Sequence, residues 1–188
     1  MGSSFAPPWF ALFGEVYNSD INPARESDYW WDRCDLQTLE LKVPPPIVAV
    51  LVGAAMWVTA YLLPAVHPPS PTRFVIACVC AAFGVTIALL GVWAFRRAKT
   101  TVNPAIPENA SSVVTGGIYR YTRNPMYAGL TAVLLGWAIR LSVPWVFLGP
   151  VAFMLYMTRF QIIPEERIMS SKFGRAYDDY RQRVRRWL

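Results

Sequence analysis

The sequence predicts an all-α protein: a polytopic membrane bundle of about four transmembrane helices followed by a C-terminal amphipathic helix in the membrane interface. Three observations predict it. Of the 188 residues, 54% are hydrophobic and only 16% charged, and the mean hydropathy is +0.29, values poorly matched to a soluble domain. Residues 47–66 and 74–95 run for twenty and twenty-two positions without a charge, and at about 1.5 Å per residue each crosses the roughly 30 Å of bilayer hydrocarbon as a helix. Eight Trp, nine Tyr and ten Phe supply anchors for two membrane–water boundaries. The same composition excludes disordered, collagen-like and coiled-coil chains.

The elements follow in order. Residues 1–46 form an acidic N-terminal extension, with three Lys/Arg against seven Asp/Glu, whereas residues 47–188, the membrane domain, carry fifteen against five. No signal peptide is expected, because the start lacks a basic region and Pro7-Pro8 interrupts its only apolar stretch. Pro44-Pro45-Pro46 precedes the first span, and the proline-rich link from His67 to Arg73 is a tight exterior turn, so the first two spans are expected to form a helical hairpin. A polar loop of roughly thirty residues then reaches Arg123, long enough to read as functional.

Two further apolar runs, 126–141 and 143–160, are slightly short for perpendicular spans, and they either cross fully or form a shallow hairpin with Arg140 snorkelling near its tip. Lys and Arg concentrate in the loop after the second span and in the C-terminal tail, so both, with the N-terminus, are assigned to the cytoplasm. From residue 165 to 188, Met169, Phe173, Tyr177, Tyr180, Val184 and Trp187 recur at three- and four-residue steps, an amphipathic helix bent at Gly174. The excess basic charge lies beside apolar spans, which suits lipid headgroups and argues against nucleic acid.

Candidate chemistry is confined to one place. The single histidine, His67, excludes a His-based triad or multi-His metal site, and Gly116-Gly117 follows no predicted strand, so it is not a dinucleotide fingerprint. Cys34, Cys78 and Cys80 read as small apolar fillers without a disulfide or zinc pattern. Polar groups gather instead at the entrance to the third span (Tyr119, Arg120, Tyr121, Arg123, Asn124, Tyr127) and at the exit of the fourth (Glu165, Glu166, Arg167). A short turn joins those spans, so they are antiparallel and the two groups are expected to meet. Two readings of that meeting stand: an ion pair of Arg123 with Glu165 or Glu166 that staples two helices, or a site for a charged ligand.

The run Gly116-Gly117-Ile118-Tyr119-Arg120-Tyr121-Thr122-Arg123-Asn124-Pro125-Met126-Tyr127, followed by Glu165-Glu166 and by Phe173-Gly174-x-x-Tyr177-x-x-Tyr180, resembles the C-terminal signature of the isoprenylcysteine carboxyl methyltransferase and phospholipid methyltransferase family of integral membrane enzymes. The likeness covers about residues 96–188. It implies S-adenosylmethionine as cofactor, S-adenosylhomocysteine as product, no metal, and a small lipophilic acceptor arriving through the bilayer, such as a prenylcysteine-like carboxylate. By position, the cofactor contacts it implies are Ser111, Ser112, Val113, Val114, Tyr119, Asn124, Pro125, Met126, Tyr127 and Glu165, and the catalytic residues are Arg123, Glu165 and Arg159. Two positions depart from the family pattern. Asn124 stands where relatives carry histidine, and Gln161 where they carry an acceptor-associated arginine, with Arg159 the nearest substitute. The alternative is a non-catalytic membrane scaffold that keeps the fold and binds a protein partner through residues 1–46. A transporter is disfavoured by the lack of charge within the first two spans.

Overall fold

Four prolines open the four long helices of the computed structural model, which describes residues 40–64, 70–98 and 113–187, all inside the unit Leu39–Leu188. These helices are α1 (Pro45–Leu62), α2 (Pro71–Arg97), α3 (Pro125–Leu141) and α4 (Pro144–Phe173). Proline suits a first turn because its φ is preset and the N–H it lacks has no intrahelical partner there. A short helix α5 (Arg175–Arg183) and a 3-10 turn at Gly117–Arg120 complete the described residues, which contain no strand.

α1, α2 and α4 are long and apolar enough to cross a membrane, and α3 is a shorter apolar helix of 17 residues. Large apolar side chains point outward from α1 (Leu51, Tyr61) and α2 (Val79, Phe83, Leu89, Trp93). Outward apolar surface on this scale, on helices of spanning length, suits lipid as the solvent. At one end of α2 the Arg97 guanidinium lies 5.3 Å from the centre of the Trp93 ring, as expected of a membrane boundary.

The expected hairpin of the first two spans is not what packs. α1 lies against α3 and α4, with Met56 seated on Gly149, while α2 runs along α3. Lipid tails are as apolar as leucine, so close backbone approach decides which membrane helices associate. A Cβ on Gly84 would strike the Gly129 carbonyl, one on Gly129 the backbone of Gly84 and Ala88, and one on Gly136 the backbone of Ala77. The glycine rows of α2 and α3 therefore fit each other, whereas the face of α2 toward α1 carries Phe74 and Cys78 and leaves an open groove.

The C-terminal part breaks at Gly174, where the bend was expected, but the helix on its N-terminal side is not separate. α4 continues unbroken to Phe173, so Glu165 and Glu166 belong to the long helix. The break falls at Gly174, where φ is +50°, a conformation that favours glycine. α5 buries Tyr177 and Tyr180, and Val184 is extended. The aromatic spacing persists through this turn, so the periodicity marks the bend but not the return of the chain that follows it.

Candidate active site

Proline also shapes the site. Pro164 lies inside α4, where it offers no N–H to the Phe160 carbonyl four residues back. The helix widens into a π turn over Thr158–Ile162, and the Leu41 N–H donates to that carbonyl at 3.1 Å. π turns change side-chain register and are frequent at functional sites. Here Gln161 is buried and its amide donates to Glu165 Oε1 at 3.0 Å, while the Tyr127 hydroxyl of α3 donates to the same oxygen at 2.5 Å.

One turn on, Glu166 is buried between two arginines. Arg123 Nη1 is 2.9 Å from its Oε1, and Arg186 donates from Nε and Nη2 to Oε1 and Oε2 at 3.1 and 2.7 Å. The hydrogen bond to the Glu166 carboxylate raises the pKa of Arg186 above its ordinary value. Arg123 is different: its Nη1 faces the Glu166 carboxylate, whereas its Nε is buried without an aligned acceptor. Two guanidinium groups and two carboxyl groups, Glu166 between the arginines and Glu165 beside them, thus share this corner.

The chain beyond α5 lines the same corner. The Arg123 N–H donates to the Arg185 carbonyl at 3.0 Å, and the Asn124 side-chain amide to the Arg186 carbonyl at 2.9 Å. Trp187 Nε1 donates to Thr158 Oγ1 at 3.2 Å, and the buried Tyr180 hydroxyl to the Tyr119 carbonyl at 2.8 Å. Tyr119 packs edge-on against Phe95 of α2 with ring centres 5.2 Å apart.

Burial, first, raises the hydroxyl pKa values of Tyr119 and Tyr180 well above 10.0, with Tyr180 and Glu165 adding to the effect on Tyr119 and Tyr177 to that on Tyr180. A phenol whose folded pKa is raised contributes stability that is complete below the unfolded pKa of about 10 and is lost as the pH rises above it. The melting temperature is therefore expected to fall from about pH 10 upward, and Tyr180→Phe to flatten that fall. A melting temperature constant through pH 11 in fluorescence-monitored unfolding contradicts this.

The structure thus brings Tyr119, Arg123, Asn124, Pro125, Met126, Tyr127 and Glu165 to one end of the bundle. Val113 and Val114 lie in the approach to the Gly117–Arg120 turn, and Ser111, Ser112 and His67 fall outside the described residues. Arg159 is engaged elsewhere: its Nη1 is 2.7 Å from Glu40 Oε1, with Arg167 on the other oxygen of Glu40. Sequence reasoning missed Arg186, whose only signal was a basic residue near the end of an apparently amphipathic run. It also missed the place of Gln161, which stood out only as a departure from a pattern.

The sequence profile of the phospholipid methyltransferase family matches residues 72–176, more than half of the chain. The chain belongs to that family. Among curated relatives, an uncharacterized protein of Haemophilus influenzae is 44% identical over 63 residues, which is 34% of this chain and all of that protein. A probable protein-S-isoprenylcysteine O-methyltransferase of Oryza sativa is 34% identical over 109 residues, covering 56% of each chain. Protein-S-isoprenylcysteine O-methyltransferase B of Arabidopsis thaliana is 31% identical over 112 residues, 54% of this chain and 55% of that one. The chain thus spans about half the length of these plant relatives. No solved structure matches significantly. The family match spans the glycine-lined pairing of α2 with α3 together with Arg123, Tyr127 and the two glutamates of α4.

Proposed function

We propose that this phospholipid methyltransferase family member is an S-adenosylmethionine-dependent membrane methyltransferase whose acceptor is lipophilic and held in the bilayer. The cofactor end is assigned to the cytoplasm, from the weighting of Lys and Arg in the sequence. The observation that carries the reading is the meeting, at one end of the bundle, of Arg123, whose buried Nε lacks an aligned acceptor, with Glu165, held by Tyr127 and Gln161. Buried donors are costly to leave unsatisfied, and a staple between helices has no need of them. A ligand carboxylate supplies the missing acceptor, and Glu165, with Oε1 already engaged, is suited to accept from a ligand ammonium or hydroxyl through its other oxygen. The residues present therefore fit the cofactor.

When bound, S-adenosylmethionine supplies a methyl group on a cationic sulfur, open to in-line displacement by the acceptor. The work left to the chain is positioning and exclusion of water. Arg123 and Glu165 hold the charged parts, Tyr127 and Gln161 fix the Glu165 carboxylate, and the Glu166–Arg186 clamp keeps the tail beyond α5 in place. Tyr119, Tyr177 and Tyr180 wall the corner and stay neutral. Asn124 has no titration near neutral pH, so no proton transfer is assigned to it.

The names of the plant relatives support a prenylcysteine-like carboxylate as acceptor. With glutamine at position 161, the cation for such a carboxylate falls to Arg159, which the acceptor reaches only by competing with Glu40. Arg159→Gln is therefore expected to raise the acceptor KM several-fold and leave cofactor affinity unchanged, and an equal loss of both removes it from the acceptor site. The decisive experiment is a titration of detergent-solubilised protein with S-adenosylhomocysteine. Saturable binding is expected, and its absence favours the scaffold reading. Incubating membranes with a methyl-labelled donor then shows which lipid or protein fraction gains label.

A further inference from the structure

The short segment that leads into α1 is fastened to α4 by three contacts. Arg159 Nη1 is 2.7 Å from Glu40 Oε1, Arg167 Nη1 is 3.6 Å from Glu40 Oε2, and the Leu41 N–H donates to the Phe160 carbonyl at 3.1 Å. Leu41 holds a φ of +60°, a left-handed conformation that leucine rarely adopts. Such a conformation persists only where neighbouring contacts impose it. The Glu40 carboxylate is thus delivered to Arg159 by a backbone that is itself pinned to α4.

Exposure separates the partners of this ion pair. The Glu40 side chain is 13% exposed, against 47% for Arg159 and 64% for Arg167. The acid is covered, and Arg159 keeps an open side. Its guanidinium also lies 5.4 Å from the centre of the Phe160 ring, which in turn sits 4.8 Å from the Tyr156 ring. A cation beside aromatic rings and open from outside suits a carboxylate carried on an apolar ligand.

We propose that Glu40 sets the specificity for acceptor charge: its carboxylate holds Arg159 in the acceptor's absence, yields to an acceptor carboxylate, and returns once methylation has neutralised that group. This rests on the reading of the chain as a methyltransferase of lipophilic carboxylates. In the transfer the methyl group leaves the donor sulfur, which keeps the bonding pair, an oxygen of the acceptor carboxylate forms the new bond to it, and no proton moves. The acceptor enters as an anion and leaves as a neutral ester. Only the anion can compete with Glu40 for the guanidinium, so the ester loses that hold and Glu40 reclaims Arg159. Arg167, on the other oxygen, keeps the displaced carboxylate close by. A competitor carried on the same chain acts at an effective concentration on the order of millimolar, which keeps small free carboxylates out. The acceptor displaces it because burial of an apolar chain adds to its binding.

The test titrates the whole detergent-solubilised protein, without cofactor, with N-acetyl-S-farnesylcysteine and with the methyl ester of that compound. Leaving out the cofactor keeps the result separate from the S-adenosylhomocysteine titration that tests the reading itself. The parent is expected to bind the acid more tightly than the ester. Glu40→Gln is expected to tighten acid binding several-fold, as removal of a partly exposed ionic competitor allows, and to leave ester binding unchanged. Arg159→Gln is expected to lower the affinity for the acid to that for the ester. Glu40→Asp keeps the charge on a shorter side chain, is expected to give a smaller gain for the acid, and serves where Glu40→Gln folds poorly. A strap that only holds the fold together predicts that both probes weaken in parallel. That outcome, acid affinity unchanged in the Glu40 variants, or no acid binding by the parent overturns the proposal.

Discussion

Gly129→Ala, a change of one methyl group, is expected to remove most folded protein from a detergent extract. The added Cβ would meet the Gly84 carbonyl and, at 2.8 Å, the backbone N of Ala88, and neither atom can rotate away as a side chain would. The only relief is to part α2 from α3. That separation loosens the reciprocal contact at Gly84, the seat of Gly136 against Ala77, and the packing of Phe95 on Tyr119. Overpacking in a core costs about 1–3 kcal/mol when side chains can shift, and a clash of backbone with backbone lies beyond that range. Gly53→Ala is the control, since its Cβ finds ordinary van der Waals space. The readout is the monodisperse fraction on size exclusion, and a Gly129→Ala protein that elutes and melts like the parent refutes the close-packing account of α2 and α3.

Glu165→Gln and Glu166→Gln are expected to fail in different ways, although the residues are neighbours. Glu165 meets two neutral donors, Tyr127 and Gln161, and an amide oxygen can accept from both. The fold should survive, while the loss of a carboxyl oxygen as acceptor weakens S-adenosylhomocysteine binding roughly tenfold or more. Glu166 is the carboxylate paired with both Arg123 and Arg186, and the Arg123 side chain is only 10% exposed. Removing that charge strands a buried guanidinium, a change that costs about 3 kcal/mol or more, so Glu166→Gln should lower the melting temperature sharply. Calorimetric binding and thermal unfolding on both variants check the division. Full cofactor affinity in Glu165→Gln removes Glu165 from the proposed site.

Both predictions depend on features of unequal legibility. The meeting of the third span's entrance with the acids leaving the fourth was readable, because two apolar runs joined by a short turn must return to the same membrane face. Which acid pairs with Arg123 was not. That depends on the π turn at Thr158–Ile162, which rotates the helix ahead of Pro164 and turns Gln161 and Glu165 toward Tyr127. Gly174 was recognisable as a bend, yet the reversal that brings Arg186 back onto Glu166 twenty residues away left no trace in the periodicity.

By itself the sequence determined that long apolar helices suited to lipid make up this protein, roughly where they run, and which polar residues gather at one end. Hydropathy over some twenty positions is a local property, so a linear reading captures it, to within a few residues of the prolines that open the helices. Only the tertiary structure decided that α2 pairs with α3 instead of α1, that Arg186 joins the site, and that an apolar groove opens between α1 and α2. Each of those outcomes depends on how nearly two backbones can approach, a property of pairs of distant segments that no window along the chain contains.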